Sequence, residues 1–228
     1  DPRPYIVFGV VYIDNGILEI GPGSRIHFFG GVTKGKDSQG NGFFYNDGRL
    51  LIGPEASLQV QGTLDRPVMF QGVRLEKQFE DVPGQWSGIV LDRRSRNNII
   101  SHAAIRNNLV GLYADSLSEC KMDHVVFANN SYYGVFGYSA NLEMSNCLFY
   151  GQGQSSFSAE NGGVYDLKYC TLANFGNDEP AAFVSNDYCN DPPFCTSISR
   201  FPLKARFVNC IMTGSNSDEF YIRSEEHT

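Results

Sequence analysis

The sequence predicts an all-β solenoid, and three observations support this fold class. One short pattern of alternating apolar residues recurs five times in the second half of the chain. The composition is rich in Gly (24), Phe (17) and Tyr (12), which favours strands and turns over helices. The segments between the recurrences also consist of strand and turn residues. A repeat of this size indicates stacked units, because one unit cannot bury its apolar side alone.

The recurring unit has an apolar residue followed by others three and five positions later. Its copies begin at Ile100, Met122, Met144, Leu167 and Phe207, so successive starts are 22, 22, 23 and 40 residues apart. A step of three followed by a step of two predicts two strands that meet at a bend.

Two polar columns follow from this alignment. The bend column contains His102, His124, Asn146, Tyr169 and Asn209. The turn column contains Asn107, Asn129, Gly151, Asn174 and Gly214. Asn and Gly tolerate left-handed backbone, and we expect the stacked Asn amides to hydrogen-bond along the turn column.

Two architectures have a period of this length. A leucine-rich repeat needs leucine-dominated columns and often a helical return limb, which this chain lacks. The alternative is a single-stranded right-handed parallel β-helix with coils of about 22 residues, since crossovers between parallel strands are right-handed. We therefore predict one β-helix domain over residues 1–228, with inserted loops at 33–48, 72–85 and 176–203.

Charge and hydropathy exclude two classes of partner. The net charge of −7 offers no broad cationic face for nucleic acid. No apolar run approaches the roughly 18 residues that span a bilayer. The chain starts with Asp1-Pro2-Arg3 and carries no cleavable signal, so an exported protein would have lost its targeting segment.

The six cysteines fall into groups of different expected roles. Three occupy one column of the repeat and are expected to stack as small buried thiols, namely Cys147, Cys170 and Cys210. Cys189 and Cys195 flank a five-residue loop that a disulfide would close in an oxidising compartment.

Acidic and histidine side chains are the candidates for chemistry. Glu143 and Asp166 share one column, which allows a stacked carboxylate pair. His102 and His124 are expected one strand spacing apart, where they would hold a metal, act as acid and base, or simply fill the corner. No third metal ligand falls in line with them. We therefore predict no catalytic residues, no metal and no cofactor.

Aromatic residues supply the other candidate site. Tyrosines and one phenylalanine cluster within a short stretch: Tyr132, Tyr133, Phe136, Tyr138 and Tyr150. Phenol rings on the flank of a solenoid can stack against sugar rings. Part of the group must be core, since either Val135 or Phe136 points inward.

Several segments resemble a known family. They are residues 53–58 (GPEASL), 66–70 (RPVMF), 82–86 (VPGQW) and 169–175 (YCTLANF). In these segments the chain resembles the right-handed β-helix lipoproteins of the Bacteroidetes, cell-envelope proteins in the pectin-lyase-like superfamily. The resemblance implies export and anchoring at the outer membrane, on the cell surface or in the periplasm, through a lipidated cysteine upstream of this chain. It also implies that the chain is a fragment cut at both ends.

These observations predict a non-catalytic cell-envelope protein that binds carbohydrate. One alternative is a polysaccharide lyase or glycoside hydrolase of the pectin-lyase-like type, although paired aspartates are absent from the sequence. Another is a structural subunit of a surface assembly. The partners expected are a polysaccharide and, through the open ends of the coil, other copies of the chain.

Overall fold

The computed structural model describes residues 3–36, 40 and 42–224, with the side chains of residues 32–36 and 43–46 outside the description. This part of the chain is all-β, with one short 3-10 helix at Lys77–Phe79 and no α-helix. The strands are β1 Tyr5–Phe8, β2 Val10–Ile20, β3 Arg25–Phe29, β4 Val32–Lys36, β5 Gly42–Asn46, β6 Arg49–Gln61, β7 Val68–Gly72, β8 Gly88–Leu91, β9 Asn98–Arg106, β10 Leu112–Ala114, β11 Glu119–Asn130, β12 Val135–Tyr138, β13 Asn141–Ser145, β14 Leu148–Gln152, β15 Phe157–Glu160, β16 Gly163–Lys168, β17 Thr171–Asn174, β18 Ala182–Ser185, β19 Asp187–Cys189, β20 Ile198–Arg200, β21 Leu203–Val208, β22 Ile211–Gly214 and β23 Phe220–Arg223.

Nineteen of the described strands form one parallel sheet that winds into a right-handed β-helix with three walls. Wall 1 contains the second parts of β2 and β6, the first parts of β9 and β11, and β13, β16 and β21. Wall 2 contains β1, β3, β7, the second parts of β9 and β11, and β14, β17 and β22. Wall 3 contains the first parts of β2 and β6, and β8, β10, β12, β15, β18 and β23. The predicted fold class is confirmed.

The core fills the space between the walls. Ile100, Met122 and Met144 are partners in register and are almost fully buried. Phe127 and Phe149 lie one coil apart in wall 2, with parallel rings and centroids separated by 4.9 Å. The apolar columns of the repeat therefore point inward, and each coil closes the core of its neighbours.

The bend column is confirmed by the backbone. All five of its residues have positive φ: His102 (48°), His124 (53°), Asn146 (54°), Tyr169 (55°) and Asn209 (51°). In these five coils a left-handed residue turns the chain from wall 1 into wall 2.

The turn column is only partly as predicted. Asn107, Asn129 and Gly151 have positive φ, whereas Asn174 and Gly214, the last residues of β17 and β22, do not. The expected ladder of amides is also wrong for the first two coils, because the Asn107 amide donates to backbone carbonyls of the 72–85 loop and Asn129 donates to Asp81. The inserted loop thus takes the hydrogen bonds that the column would have made.

The predicted column of thiols is present, with Cys147 and Cys170 buried as expected and Cys210 only partly buried. The backbone amides of Thr171 and Ile211 donate to the carbonyls of Cys147 and Cys170 at 2.9 Å, which keeps the three cysteines in successive layers. All three are free thiols. The hydrogen bond with Cys170, and then burial, raise the pKa of Cys147, so this thiol stays protonated and packs as a small apolar group.

Two of the three predicted insertions need correction. Within 33–48 the described residues form an antiparallel hairpin, β4–β5, and residues 37–39 and 41 lie outside the description. The 72–85 insertion runs from the end of β7 to the start of β8 and contains the 3-10 helix. The 176–203 insertion is too long as predicted, because β18 within it is a regular wall-3 strand paired with β15 and β23. The true insertion is 186–202, which contains the hairpin β19–β20.

Some predictions concern the ends of the chain and its relation to membranes. Residues 1–2 and 225–228, on which the expectation of a fragment rests, lie outside the described residues. Within the described part, no helix has the length and apolar character needed to cross a membrane.

Candidate functional site

The outer face of wall 1 carries polar side chains in two adjacent columns. One contains Lys121, Glu143, Asp166 and Arg206, which are successive partners in register. The other contains Ser101, Asp123, Ser145 and Lys168. Glu143 and Asp166 are therefore neighbours on one face, as the repeat predicts. A cleft of about 420 Å³ opens over the first column.

The carboxylates of this cleft are neutralised by cations of the same face. Lys121 Nζ lies 3.2 Å from Glu143 Oε2, and Lys168 Nζ lies 2.8 Å from Asp166 Oδ2. Arg206 adds a longer contact of 3.9 Å to the same Asp166 oxygen. A calcium-dependent lyase would need free carboxylates and a free base, and here Glu143 and Asp166 are held in ion pairs with Lys121 and Lys168.

The two histidines of the bend column lie next to the second column. Their rings are parallel within 5°, with centroids 4.7 Å apart, so the expected separation of one strand spacing is confirmed. His124 Nδ1 lies 2.7 Å from Asp123 Oδ2, and His102 Nδ1 lies 2.9 Å from Ser101 Oγ. Both imidazoles therefore have their Nδ1 atoms on the side of the polar column.

Asp123 is the centre of a small hydrogen-bond network. Ser145 Oγ donates to Asp123 Oδ1 at 2.6 Å, and Asn146 Nδ2 donates to the same oxygen at 2.9 Å. Partial burial raises the pKa of Asp123, but the hydrogen bonds from Ser145, Asn146 and His124, together with the charge of His124, outweigh it and lower the pKa to about 2. The carboxylate is therefore ionised at neutral pH.

The expectation that no third ligand accompanies the histidines is wrong. One donor atom from each of His102, Asp123 and His124 lies within 4.8 Å of the other two. In a regular strand the side chains of residues 123 and 124 would point to opposite faces. The left-handed bend at His124 breaks this alternation and turns both side chains to the same side.

The outer face of wall 3 carries an aromatic column, which we call the aromatic face. Its residues are partners in register along five strands: Tyr113, Phe136, Ser158, Phe183 and Tyr221. Tyr113 and Phe136 have parallel rings with centroids 5.5 Å apart, and the centroids of Phe183 and Tyr221 are separated by 5.7 Å. Ser158 interrupts the column between the two pairs.

An acid lies beside this interruption. Glu160 is the register partner of Tyr138, and Ser158 Oγ lies 3.4 Å from its Oε1. Burial raises the pKa of Glu160 above its ordinary value, although Arg223 and Ser158 act in the opposite direction. Burial and nearby acids, Glu160 among them, also raise the pKa values of Tyr113, Tyr133 and Tyr138, so these phenols remain neutral hydrogen-bond donors.

The predicted aromatic cluster is divided between different parts of the surface. Tyr133 packs against Phe136 with centroids 5.1 Å apart, so it borders the aromatic face together with Tyr138. Tyr132 is exposed in the turn before β12. Tyr150 lies on wall 2 opposite Ala128, apart from the aromatic face. Val135 is fully buried, so Phe136 is the member of the pair that points outward.

The 186–202 insertion borders the aromatic face. Cys189 and Cys195 form a disulfide in its hairpin. Asp187 at the start of the hairpin pairs with Arg223 at 2.8 Å, and the Arg223 guanidinium lies 5.5 Å from the centre of the Phe183 ring. The repeat pattern did not predict Phe183, Glu160 or Ser158 as site residues. They lie in wall 3, and the segments that lead to and from this wall differ in length from coil to coil.

Comparison with known proteins supports the fold and does not indicate an enzymatic or binding activity. Residues 76–175 match the family model described as a right handed beta helix region. This part of the chain is a right-handed β-helix. No curated protein and no solved structure matches the chain significantly.

Proposed function

We propose that this chain is a non-catalytic β-helix protein of the cell envelope that binds a neutral glycan on the aromatic face. The observation that carries the proposal is the aromatic column itself, in which two stacked pairs, Tyr113–Phe136 and Phe183–Tyr221, lie in register on wall 3. Ser158 between the pairs is only 1% exposed, so a ligand would lie across the partly exposed rings and not between them.

The aromatic face extends over several strands. Phe136 and Phe183 alone are two strands apart, which corresponds to roughly 10 Å at the usual spacing of strands. Sugar C–H groups stack on aromatic faces, and sugar hydroxyls then need acceptors at the rim.

Glu160, Tyr138 and Tyr133 supply that polar rim. Glu160 is the acid of this rim, and the nearby cation Arg223 is paired with Asp187. The whole chain also has a net charge of −7. A polyuronate would be repelled from such a surface, so the ligand class favoured is a neutral or amino-sugar glycan.

Export is part of the proposal. The Cys189–Cys195 disulfide supports an oxidising compartment, since such bonds are rare where thiols are kept reduced. Attachment to the outer membrane through an upstream lipid anchor, on the cell surface or in the periplasm, is consistent with this.

A glycan array carrying neutral, amino-sugar and uronate oligosaccharides tests the proposal. We expect binding to neutral or amino-sugar ligands that is lost in Phe136→Ala and in Tyr221→Ala, because each change removes one ring from a stacked pair of the aromatic face. Tyr150→Ala is the matched control on wall 2 and should bind as the parent does. Binding that survives both changes to the aromatic face, or that is confined to uronates, would contradict the proposal.

A catalytic alternative rests on the Asp123–His124 pair. A carboxylate that orients an imidazole is a common arrangement for a general base, and a second cleft of about 370 Å³ lies over Asp123, Lys121 and Lys168. Incubation with neutral and uronate polysaccharides, followed by assays for reducing ends and unsaturated products, tests it. Turnover that is abolished by His124→Asn, Glu143→Gln or Asp166→Asn would replace the binding function with a lyase or hydrolase.

A further inference from the structure

We propose that His102, Asp123 and His124 form a binding site for a divalent transition-metal ion of the Zn²⁺ class. The site lies at the corner between walls 1 and 2, whereas the proposed glycan site lies on wall 3, so the two proposals are independent. The donor atoms of the three side chains lie within 4.8 Å of one another.

The backbone holds the three residues in a fixed relation. Ser101 and Asp123 are register partners before the bend, and Ala103 and Val125 are register partners after it. Between these paired residues, His102 and His124 have nearly equal φ angles of 48° and 53°. The two histidines therefore project from equivalent positions of adjacent coils, and sheet hydrogen bonds on both sides fix their separation.

The carboxylate is oriented through one oxygen and leaves the other toward the histidines. Oδ1 of Asp123 accepts hydrogen bonds from Ser145 and Asn146, and Oδ2 faces His124 Nδ1 at 2.7 Å. Outer hydrogen bonds of this kind orient metal ligands and preserve their geometry.

Ion binding requires a small movement of the rings. The lone pair of an imidazole nitrogen lies in the plane of its ring, so two parallel rings do not both direct lone pairs at one ion. His102 and His124 therefore tilt toward each other, and the ion takes the place of the proton between His124 Nδ1 and Asp123. Both rings are solvent-accessible at one edge, with His124 48% exposed at its side chain, which leaves room for the movement and for a water ligand.

The donor set selects the kind of ion. Two imidazoles and one carboxylate suit Zn²⁺, Co²⁺, Ni²⁺ or Cu²⁺, and they suit Mg²⁺ and Ca²⁺ poorly because these ions prefer all-oxygen ligands. Three protein ligands with water in the remaining position are the pattern of an open zinc site.

Titration calorimetry of the whole chain with ZnCl₂, and Co²⁺ absorption in the visible range, test the proposal. We expect one ion per chain, no heat with MgCl₂ or CaCl₂, and a loss of affinity of about tenfold or more in His102→Asn, His124→Asn and Asp123→Asn. Asparagine is chosen for the histidines because Asn146 and Asn209 occupy the same backbone position in later coils, so folding is retained.

His227→Asn is the matched control, since it makes the same change at a position outside the described residues. It should bind Zn²⁺ as the parent does. Absence of Zn²⁺ binding by the parent at millimolar concentration, or binding that persists unchanged when His102 and His124 are both replaced, would overturn the proposal.

Discussion

His102 and His124 stack face to face across one coil boundary, with ring centroids 4.7 Å apart and planes within 5° of parallel. Asp123 lies against the second ring at 2.7 Å. The same left-handed bend produces both contacts, because it occurs at equivalent positions of the adjacent coils that contain His102 and His124. This corner is the one place in the described chain where donor atoms of two imidazoles and a carboxylate lie within 4.8 Å of one another.

The hydrogen bonds of Asp123 make the stability of the folded chain depend on pH in the acid range. The pKa of Asp123 is about 2 in the folded chain, below its ordinary value of 3.8. A carboxyl with a depressed folded pKa stabilises the fold fully above about pH 4, and this contribution is lost as the pH falls from about 4 to 2. Since the group is partly exposed, we expect about 1 kcal/mol after solvent screening.

Urea unfolding at several values of pH between 5 and 2 measures this contribution. Asp123→Asn should lower the free energy of unfolding at pH 5 by about 1 kcal/mol and flatten its decline toward pH 2. Asp65→Asn changes an exposed carboxylate in a turn and serves as the control. An equal decline with pH in parent and Asp123→Asn would contradict the prediction.

The core of wall 2 depends on its stacked phenylalanines. Phe127 is fully buried between coils and packs on Phe149. We expect Phe127→Ala to reduce the free energy of unfolding by about 3–5 kcal/mol, because it removes buried area and leaves a cavity. Leu148→Ala, on the outer side of the same wall, should change it by only about 0.5 kcal/mol. Guanidinium unfolding followed by circular dichroism gives both values, and similar losses for the two would be inconsistent with the assigned inward and outward columns.

The bend column contains one residue that is poorly suited to its backbone. Tyr169 has φ of 55° and is 59% exposed, so its ring gains little from packing. Tyr169→Asn should stabilise the chain by about 0.5 kcal/mol, since Asn adopts left-handed backbone more readily. Asn209→Val, at the equivalent exposed position, should cost about 1 kcal/mol or more. Thermal unfolding compares the two, and a gain from valine would refute the role assigned to this column.

The first coil offers surfaces for association between chains. Among the described residues β1 pairs only with β3 and β2 only with β6, so each has an unpaired edge. Phe8 is 70% and Ile17 64% exposed at this end. We propose that copies of the chain associate through it, because unpaired edges and apolar side chains invite pairing.

Sedimentation velocity over a range of concentrations tests this association. We expect a concentration-dependent increase in sedimentation coefficient that is abolished when Phe8→Lys and Ile17→Lys are combined. Leu64→Lys replaces an equally exposed leucine in a turn and should leave association unchanged. Monomers at all concentrations, or association that is insensitive to the double change, would show that the end surfaces do not pair.

Much of the fold could be predicted from short-range regularity. The spacing of apolar residues predicted the inward columns, the stacked cysteines and the bend at residues such as His124 and Asn146. It failed at β18, because the 40-residue interval between Leu167 and Phe207 contains both a regular wall strand and an insertion. An insertion of unknown position within an interval cannot be separated from the repeat by spacing alone.

The sites were less predictable than the walls, because they depend on which residues of different coils become neighbours. Which residues alternate inward and outward depends on local backbone geometry, and the sequence itself determined this for most of the chain. Which outward residues become neighbours depends on register between coils, and on where a left-handed residue interrupts the alternation. Only the tertiary structure decided that Asp123 faces both histidines and that Ser158 lies between Phe136 and Phe183, because those distances are set by strand pairing between residues about 20 to 25 positions apart.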